Sequence, residues 1–239
     1  MYVLITRQLE QSKKFSFVLE KSNIKNIILP VILIKNIKLN NVDIKNIQKS
    51  DCVIFTSQNS VESLMKTLSM KDFLGKNICA IGEATKKILG DYKIKVNISP
   101  EEDFTSESLL NEMKKNKIIN KKIIIIKGME GRDYLHKKLS IDNMVFDDIE
   151  SYERCLPENL NDFHSFTFKK ITHVCITSID ILNNFEKICD ILNLKVLKNI
   201  IFVSGNQRIA TAVKKSFPAN KNLVSLNPTN KEMLNTILR

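Results

Sequence analysis

Residues 51–62 read Asp-Cys-Val-Ile-Phe-Thr-Ser-Gln-Asn-Ser-Val-Glu. A continuous apolar run at 52–55 gives way to the polar turn Thr56-Ser57-Gln58-Asn59, and a helical pattern follows. A strand that is apolar at every position is buried on both faces, as in a parallel sheet covered by helices. The same punctuation recurs after the β-branched runs at 3–5, 78–81, 123–126, 174–176 and 200–203. The helices that follow carry apolar stripes, such as Phe15, Val18 and Leu19, or Met233, Leu234, Ile237 and Leu238. Strands alternating with helices predict a parallel α/β architecture. Six such units are too many for one sheet in 239 residues, so the chain is expected to form two α/β lobes.

Two stretches break the rhythm. Residues 29–39 (LPVILIKNIKL) are extended, with Pro30 inside them, and residues 147–156 (DDIESYERCL) are extended and stop before Pro157. Neither leads directly into a helix, which makes them candidate crossings between lobes. The expected organisation is a discontinuous lobe of residues 1–36 plus 157–239 and an inserted lobe of residues 37–156. The connectors are placed near 33–40 and 148–157.

Composition narrows the classes. A hydrophobic share of 43% beside a charged share of 26% excludes a disordered chain. The net charge is +11, but arginine stands only at 7, 132, 154, 208 and 239 among 37 cationic residues. Lysine carries the rest, a bias that reads as compositional drift. Phosphate tracking needs a basic face, whereas the lysine pairs are dispersed along the chain and no zinc-finger, P-loop or RNP-like pattern accompanies them. No nucleic-acid partner is expected. The opening run is strand-like, without a basic leader, so no secretory signal is expected. The longest apolar run, residues 27–34, is far short of the ~20 residues a spanning helix needs, so no membrane association is expected either. Five cysteines show no paired CxxC spacing. Cys52, Cys79 and Cys175 lie in apolar runs, where buried reduced thiols fit a cytoplasmic location.

In open parallel sheets ligands bind at the turns beyond the carboxyl ends of strands. Those turns here are Thr6-Arg7-Gln8, Thr56-Ser57-Gln58-Asn59, Gly82-Glu83-Ala84-Thr85, Lys127-Gly128-Met129-Glu130-Gly131-Arg132, Thr177-Ser178 and Ser204-Gly205-Asn206. They are rich in hydroxyls and amides and open helices whose free N–H groups favour anions. Any one of them is equally an ordinary N-cap; six in two lobes predict an anion-binding cleft. No GxGxxG follows the first strand and no GxxxxGK[ST] occurs. Gly128 and Gly131 alone carry little weight. His136, His164 and His173 lack metal-ligand spacing. Asp147 and Asp148, adjacent in an extended segment, point to opposite faces and do not converge on a metal. Glu101, Glu102 and Asp103 fall in a loop before a helix.

Taken in order, these pieces resemble the uroporphyrinogen-III synthase family. They are VLITRQLEQSKKF at the start, Pro30 in the second strand, DCVIFTSQNSVE (51–62), ICAIGEATKKIL (78–89), TSESLL (105–110), IIIIKGMEGRDYL (123–135), SYERC (151–155), CITSIDILNNF (175–185) and VSGNQRIATAV (203–213). The resemblance spans nearly the whole chain, and its specificity lies in order and spacing. It implies two Rossmann- or flavodoxin-like parallel-sheet lobes joined by a two-stranded antiparallel connector. It also implies a cytoplasmic monomer that needs no metal or organic cofactor. The implied substrate is hydroxymethylbilane, handed over by hydroxymethylbilane synthase and closed to uroporphyrinogen III with inversion of the last pyrrole ring. Loss of the terminal hydroxyl as water gives an azafulvene. The substituted carbon of the far ring attacks it, and the spiro intermediate fragments and recloses.

The pyrroles supply the electrons, so the protein's task is to hold the chain curled. The resemblance makes Tyr152 the proton donor to the leaving hydroxyl; as a connector residue it could equally pack between lobes. It places Thr56, Ser57, Gln58, Thr85 and Ser178 among the groups that receive substrate carboxylates, with Arg7, Lys127 and Arg132 as the cations. Lys127 stands where an arginine is common, keeping the charge without the fork. Gln207 and Arg208 replace a hydroxyl pair. The charge of +11 is compatible with drawing a polyanion toward such a cleft. The alternative reading is a two-lobed, non-catalytic module that binds an anionic ligand.

Overall fold

The computed structural model describes residues 1–101, 103–118, 121–129, 134–141, 145–158, 160, 169–193 and 199–239. The chain divides into two compact units: Met1–Leu33 with Cys155–Arg239, and Ile34–Arg154. Each is built on a five-stranded sheet.

In the first unit the strands are β1 (Tyr2–Ile5), β2 (Lys25–Ile28), β8 (His173–Ile176), β9 (Ile201–Ser204) and β10 (Asn222–Val224), in the order β10-β9-β8-β1-β2. Every pairing is parallel. Numbered within the unit, this is the flavodoxin-like order 2-1-3-4-5. The second unit holds β3 (Leu33–Asn36), β4 (Cys52–Phe55), β5 (Asn77–Ala80), β6 (Ile123–Gly128) and β7 (Phe146–Cys155), ordered β3-β7-β6-β4-β5. Its four parallel strands repeat the beginning of the same order, 2-1-3-4. The Ile37 N–H donates to the Ser151 carbonyl, and Lys35 meets Glu153 at 3.5 Å. One partner number rises as the other falls, so β3 runs antiparallel to β7 at the sheet edge.

The helices are α1 (Leu9–Lys21), α2 (Asn41–Lys49), α3 (Gln58–Leu64), α4 (Glu83–Asp91), α5 (Ser106–Lys115), α6 (Tyr134–Ile141), α7 (Ile179–Ile191), α8 (Gln207–Ser216) and α9 (Asn230–Ile237). The period of two in a strand accounts for the second unit's core. Val53, Phe55, Ile124 and Ile126 face one side and pack with Ile47, Val61, Leu64 and Leu89 from α2, α3 and α4. Cys52, Ile54, Ile123 and Ile125 face the other and pack with Leu109, Met113 and Leu139 from α5 and α6. In the first unit Val3, Ile5, Cys175 and Val203 lie against Phe15 and Leu19 of α1 and Met233 and Ile237 of α9. Phe202 stacks on Phe217 at 4.6 Å and meets Phe185 edge-on.

Pro30 lies beyond the end of β2 rather than inside it. Leu29 and Val31 still donate to the carbonyls of Ile5 and Thr6, at 2.9 and 3.1 Å, and the residue without an N–H sits between them. Cys52, Cys79 and Cys175 are buried free thiols. The sulfurs of Cys52 and Cys79 are 3.6 Å apart. The bond to Cys52, then burial, holds the Cys79 thiol up; burial pushes Cys175 up to about 12. Such thiols are poor nucleophiles. No helix among the described residues is long and apolar enough to cross a membrane.

Candidate active site

In the 2-1-3-4 order the ligand position is the crevice where the strand order reverses, between the first and third strands. In the second unit these are β4 and β6. After β4, the Thr56 N–H and Oγ1 both donate to the Ile126 carbonyl, at 3.2 and 3.0 Å, which ties the turn to β6. Ser57 then caps α3: its Oγ accepts the Ser60 N–H at 3.2 Å, and Ser60 Oγ accepts the Ser57 N–H in return. This reciprocal cap fixes the Ser57 hydroxyl at the helix entrance.

The Tyr152 hydroxyl lies 3.0 Å from Ser57 Oγ. It comes from β7 through a register shift: Lys127 stands opposite Glu150, but Gly128 stands opposite Tyr152. The Tyr152 ring lies directly over Gly128. A Cβ there would be 2.7 Å from Tyr152 Cζ and 3.0 Å from its hydroxyl oxygen. Glycine is what lets the phenol lie against the strand. Tyr152 is 3% exposed. The guanidinium of Arg154 stands 5.7 Å from its ring centre, with Nη2 3.5 Å from its hydroxyl.

Lys127 Nζ is paired with Asp148 Oδ2 at 2.9 Å, so its charge is already matched within the unit. The other carboxylate oxygen of Asp148 is buried with no hydrogen-bond partner among the described residues. Asp147 instead reaches Lys122 at 3.9 Å, on the opposite face of β7. Gln58 Nε2 donates to the Ala84 carbonyl at 3.3 Å, linking the entrances of α3 and α4. Helix α4 starts at Gly82 without a side-chain cap, which leaves its first N–H groups for other acceptors, and Thr85 is buried just inside it. Thr56, Ser57, Gln58, Thr85, Lys127 and Tyr152 thus gather at one end of the second unit's sheet.

Ser178 and Arg7 belong to the first unit, after the neighbouring strands β8 and β1. Ser178 caps α7, accepting the Ile181 N–H at 3.1 Å. Arg7 is not the open cation that its place in the turn suggests. It is 6% exposed, with Nη1 bonded to Asn230 Oδ1 at 2.8 Å and Nη2 to the Pro228 carbonyl at 2.7 Å. Its guanidinium also lies 5.2 Å from the Phe15 ring centre. Burial lowers its pKa and the nearby Cys175 opposes the shift, but arginine titrates so high that it stays charged. It therefore ties β1 to the entrance of α9. Arg7→Met should lower unfolding free energy by about 2–4 kcal/mol in urea, because two charge-assisted bonds that tie the turn to Pro228 and Asn230 are lost. Arg7→Lys should recover little of this, since a point ammonium cannot serve both acceptors as the fork does. An unchanged urea midpoint in Arg7→Met would refute the tie.

Arg132 and His164 lie outside the described residues, as does the side chain of His136. His173 is buried in the first unit, with Nδ1 2.8 Å from Thr172 Oγ1. Burial lowers its pKa, as do the charges of the amino terminus and Lys221. Among the described residues no three His, Cys, Asp or Glu side chains gather as a metal site. Gly128, Arg154 and Asp148 are the neighbours of Tyr152 and Lys127 that sequence reasoning missed. Gly128 stands in a turn beyond a strand end, but nothing local in the sequence signals the ring that lies over it.

Two flavodoxin-like units, each with a hydroxyl-bearing, helix-capping turn at its strand-order reversal, define a doubly wound α/β protein. The chain belongs to the uroporphyrinogen-III synthase family: the family described as "Uroporphyrinogen-III synthase HemD" matches residues 13–235. A protein of Methanocaldococcus jannaschii, provisionally named uroporphyrinogen-III synthase, is 32% identical over 166 residues, covering 68% of this chain and 65% of that one. One of Methanothermobacter thermautotrophicus, similarly named, is 32% identical over 114 residues, covering 46% and 44%. The chain thus matches less than two thirds of the length of either relative. The crystal structure of uroporphyrinogen-III synthetase from Helicobacter pylori 26695 superposes with a TM-score of 0.70, at 19% identity over 99% of this chain and 98% of that one. A mutant uroporphyrinogen III synthase from the extremely thermophilic bacterium Thermus thermophilus gives 0.59, at 14% identity over 100% and 98%. At these identities the likeness speaks for the fold.

Proposed function

We propose that this chain closes hydroxymethylbilane to uroporphyrinogen III, inverting the terminal ring and releasing water, with Tyr152 as the general acid. Family membership supports the reaction. The observation that carries the site is the Tyr152 hydroxyl, laid over Gly128 and held by Ser57 at a strand-order reversal.

The terminal hydroxyl is a poor leaving group. Tyr152 lends its proton as the carbon–oxygen bond breaks and water departs. The pyrrole nitrogen's electrons form the azafulvene. The substituted carbon of the far ring attacks; the spiro intermediate fragments and recloses at the ring's free carbon. The hydrogen lost from that carbon restores the proton to Tyr152. Substrate carboxylates are received by N–H groups at the openings of α3 and α4 and by the hydroxyls and amide of Thr56, Ser57, Gln58 and Thr85, with Ser178 serving in the first unit. Lys127 contributes as half of an ion pair, and Arg132 adds a further cation. Arg7 acts by holding its turn. The same reading has the chain work as a cytoplasmic monomer, without metal or organic cofactor, on substrate passed from hydroxymethylbilane synthase.

The test supplies freshly generated hydroxymethylbilane, oxidises the products and separates the isomers chromatographically. Isomer III should dominate with the protein present. An isomer ratio equal to the protein-free control refutes the enzyme and leaves the non-catalytic anion-binding reading.

A further inference from the structure

Along β7 the side chains alternate faces until residue 150: Ile149 is buried and Glu150 exposed. Ser151 and Tyr152 are then both buried. The cause is the register shift, in which Ser151 is the extra residue between the partners of Lys127 and Gly128. A bulged residue drops out of the ladder, so its polar groups need partners elsewhere. Three bonds supply them. Ser151 Oγ donates to the Lys127 carbonyl at 3.2 Å. The Ser151 carbonyl accepts the Ile37 N–H at 2.9 Å and, on its second lone pair, the hydroxyl of Ser63.

Ser63 is 5% exposed and lies in the last turn of α3, the helix whose entrance is capped by Ser57. A helical serine ordinarily bonds back to the carbonyl four residues earlier; Ser63 reaches across to β7 instead. Helix α3 therefore holds β7 at two adjacent residues, through Ser57 at the Tyr152 hydroxyl and through Ser63 at the Ser151 carbonyl. Were the register not shifted, Ser151 would pair with Gly128 and Tyr152 with Met129, which carries a side chain in the ring's place.

The geometry points to Ser63 as a positioning residue: its bond to Ser151 keeps the bulge that sets the Tyr152 phenol over Gly128 and against Ser57. The catalytic consequence rests on the general-acid reading of Tyr152; the placement of the phenol does not.

The experiment makes Ser63→Ala and Ser63→Thr in the natural chain, and Ser63→Ala again beside Tyr152→Phe. Steady-state kinetics and near-ultraviolet circular dichroism are recorded below each variant's unfolding temperature. The chain has no tryptophan and four tyrosines, so subtracting the Tyr152→Phe spectrum from that of the natural chain isolates the Tyr152 signal. Ser63→Ala should lower kcat roughly tenfold with KM changed by less than about twofold, as loss of placement alone predicts. It should also shrink the Tyr152 signal, and Ser63→Thr, which keeps the hydroxyl, should restore both. Beside Tyr152→Phe, Ser63→Ala should cost nothing further. An intact Tyr152 signal in Ser63→Ala, or an equal loss of kcat in both backgrounds, overturns the assignment. If Tyr152→Phe turns over normally, the general-acid reading falls, and the Tyr152 signal by itself decides for or against Ser63.

Discussion

Tyr152→Phe should slow turnover by about 10²–10⁴-fold, the range a positioned general acid contributes. The substitution removes one oxygen and keeps the ring that packs on Gly128, so the fold and the binding of the oxidised product should remain nearly intact. The loss should fall in kcat and kcat/KM alike, because the proton is given only as the bond breaks. Ser57 keeps its bond from Ser60 when the phenol is removed, so unfolding free energy should change by no more than about 1 kcal/mol. Single-turnover isomer analysis and titration with the oxidised product separate these effects. Unchanged turnover removes Tyr152 from the chemistry.

The second large effect is expected at a residue with no reactive group. In Gly128→Ala the new methyl would stand 2.7 Å from Tyr152 Cζ and 2.9 Å from Cε2. Atoms so close must separate, and Tyr152 is enclosed, so the ring has to leave its seat and give up Ser57. Overpacking of this kind costs about 1–3 kcal/mol of stability. Displacing a reacting hydroxyl by an ångström costs roughly a hundredfold in rate. The variant should melt earlier and, at a temperature where it is fully folded, still turn over slowly. Full activity from folded Gly128→Ala would show that the phenol's place is immaterial.

Much of the architecture is legible in local chemistry. The six apolar runs become β1, β4, β5, β6, β8 and β9, because strands buried on both faces leave an unbroken apolar signature. The short β10, Asn222–Val224, leaves none: it has three residues, all half-buried. The shared strand order is also silent in the sequence, since it resides in pairings such as Thr56 with Ile126, far apart along the chain. The site divides the same way. Tyr152 and Ser57 are recognisable one at a time, but their hydrogen bond joins positions 95 residues apart. Gly128 reads as a turn glycine of little weight because what requires it is a ring on another strand. Arg7 reads as a free cation because Pro228 and Asn230, which enclose it, lie at the far end of the sequence. The bulge at Ser151 is a matter of register, which no local pattern spells out.

The bond from Arg7 to Asn230 spans 223 positions, and this separation bears on the order in which the molecule can come into being. On a ribosome the polypeptide emerges from one end. The sheet of residues 34–154 has all its strands once Arg154 has appeared. Strand β1, made before the inserted unit, sits in the interior of its own sheet, yet its neighbour β8 begins only at His173 and the guanidinium's partners come later still. A segment synthesised early therefore waits for one synthesised much later, and the inserted unit can already be folded while its host is still incomplete.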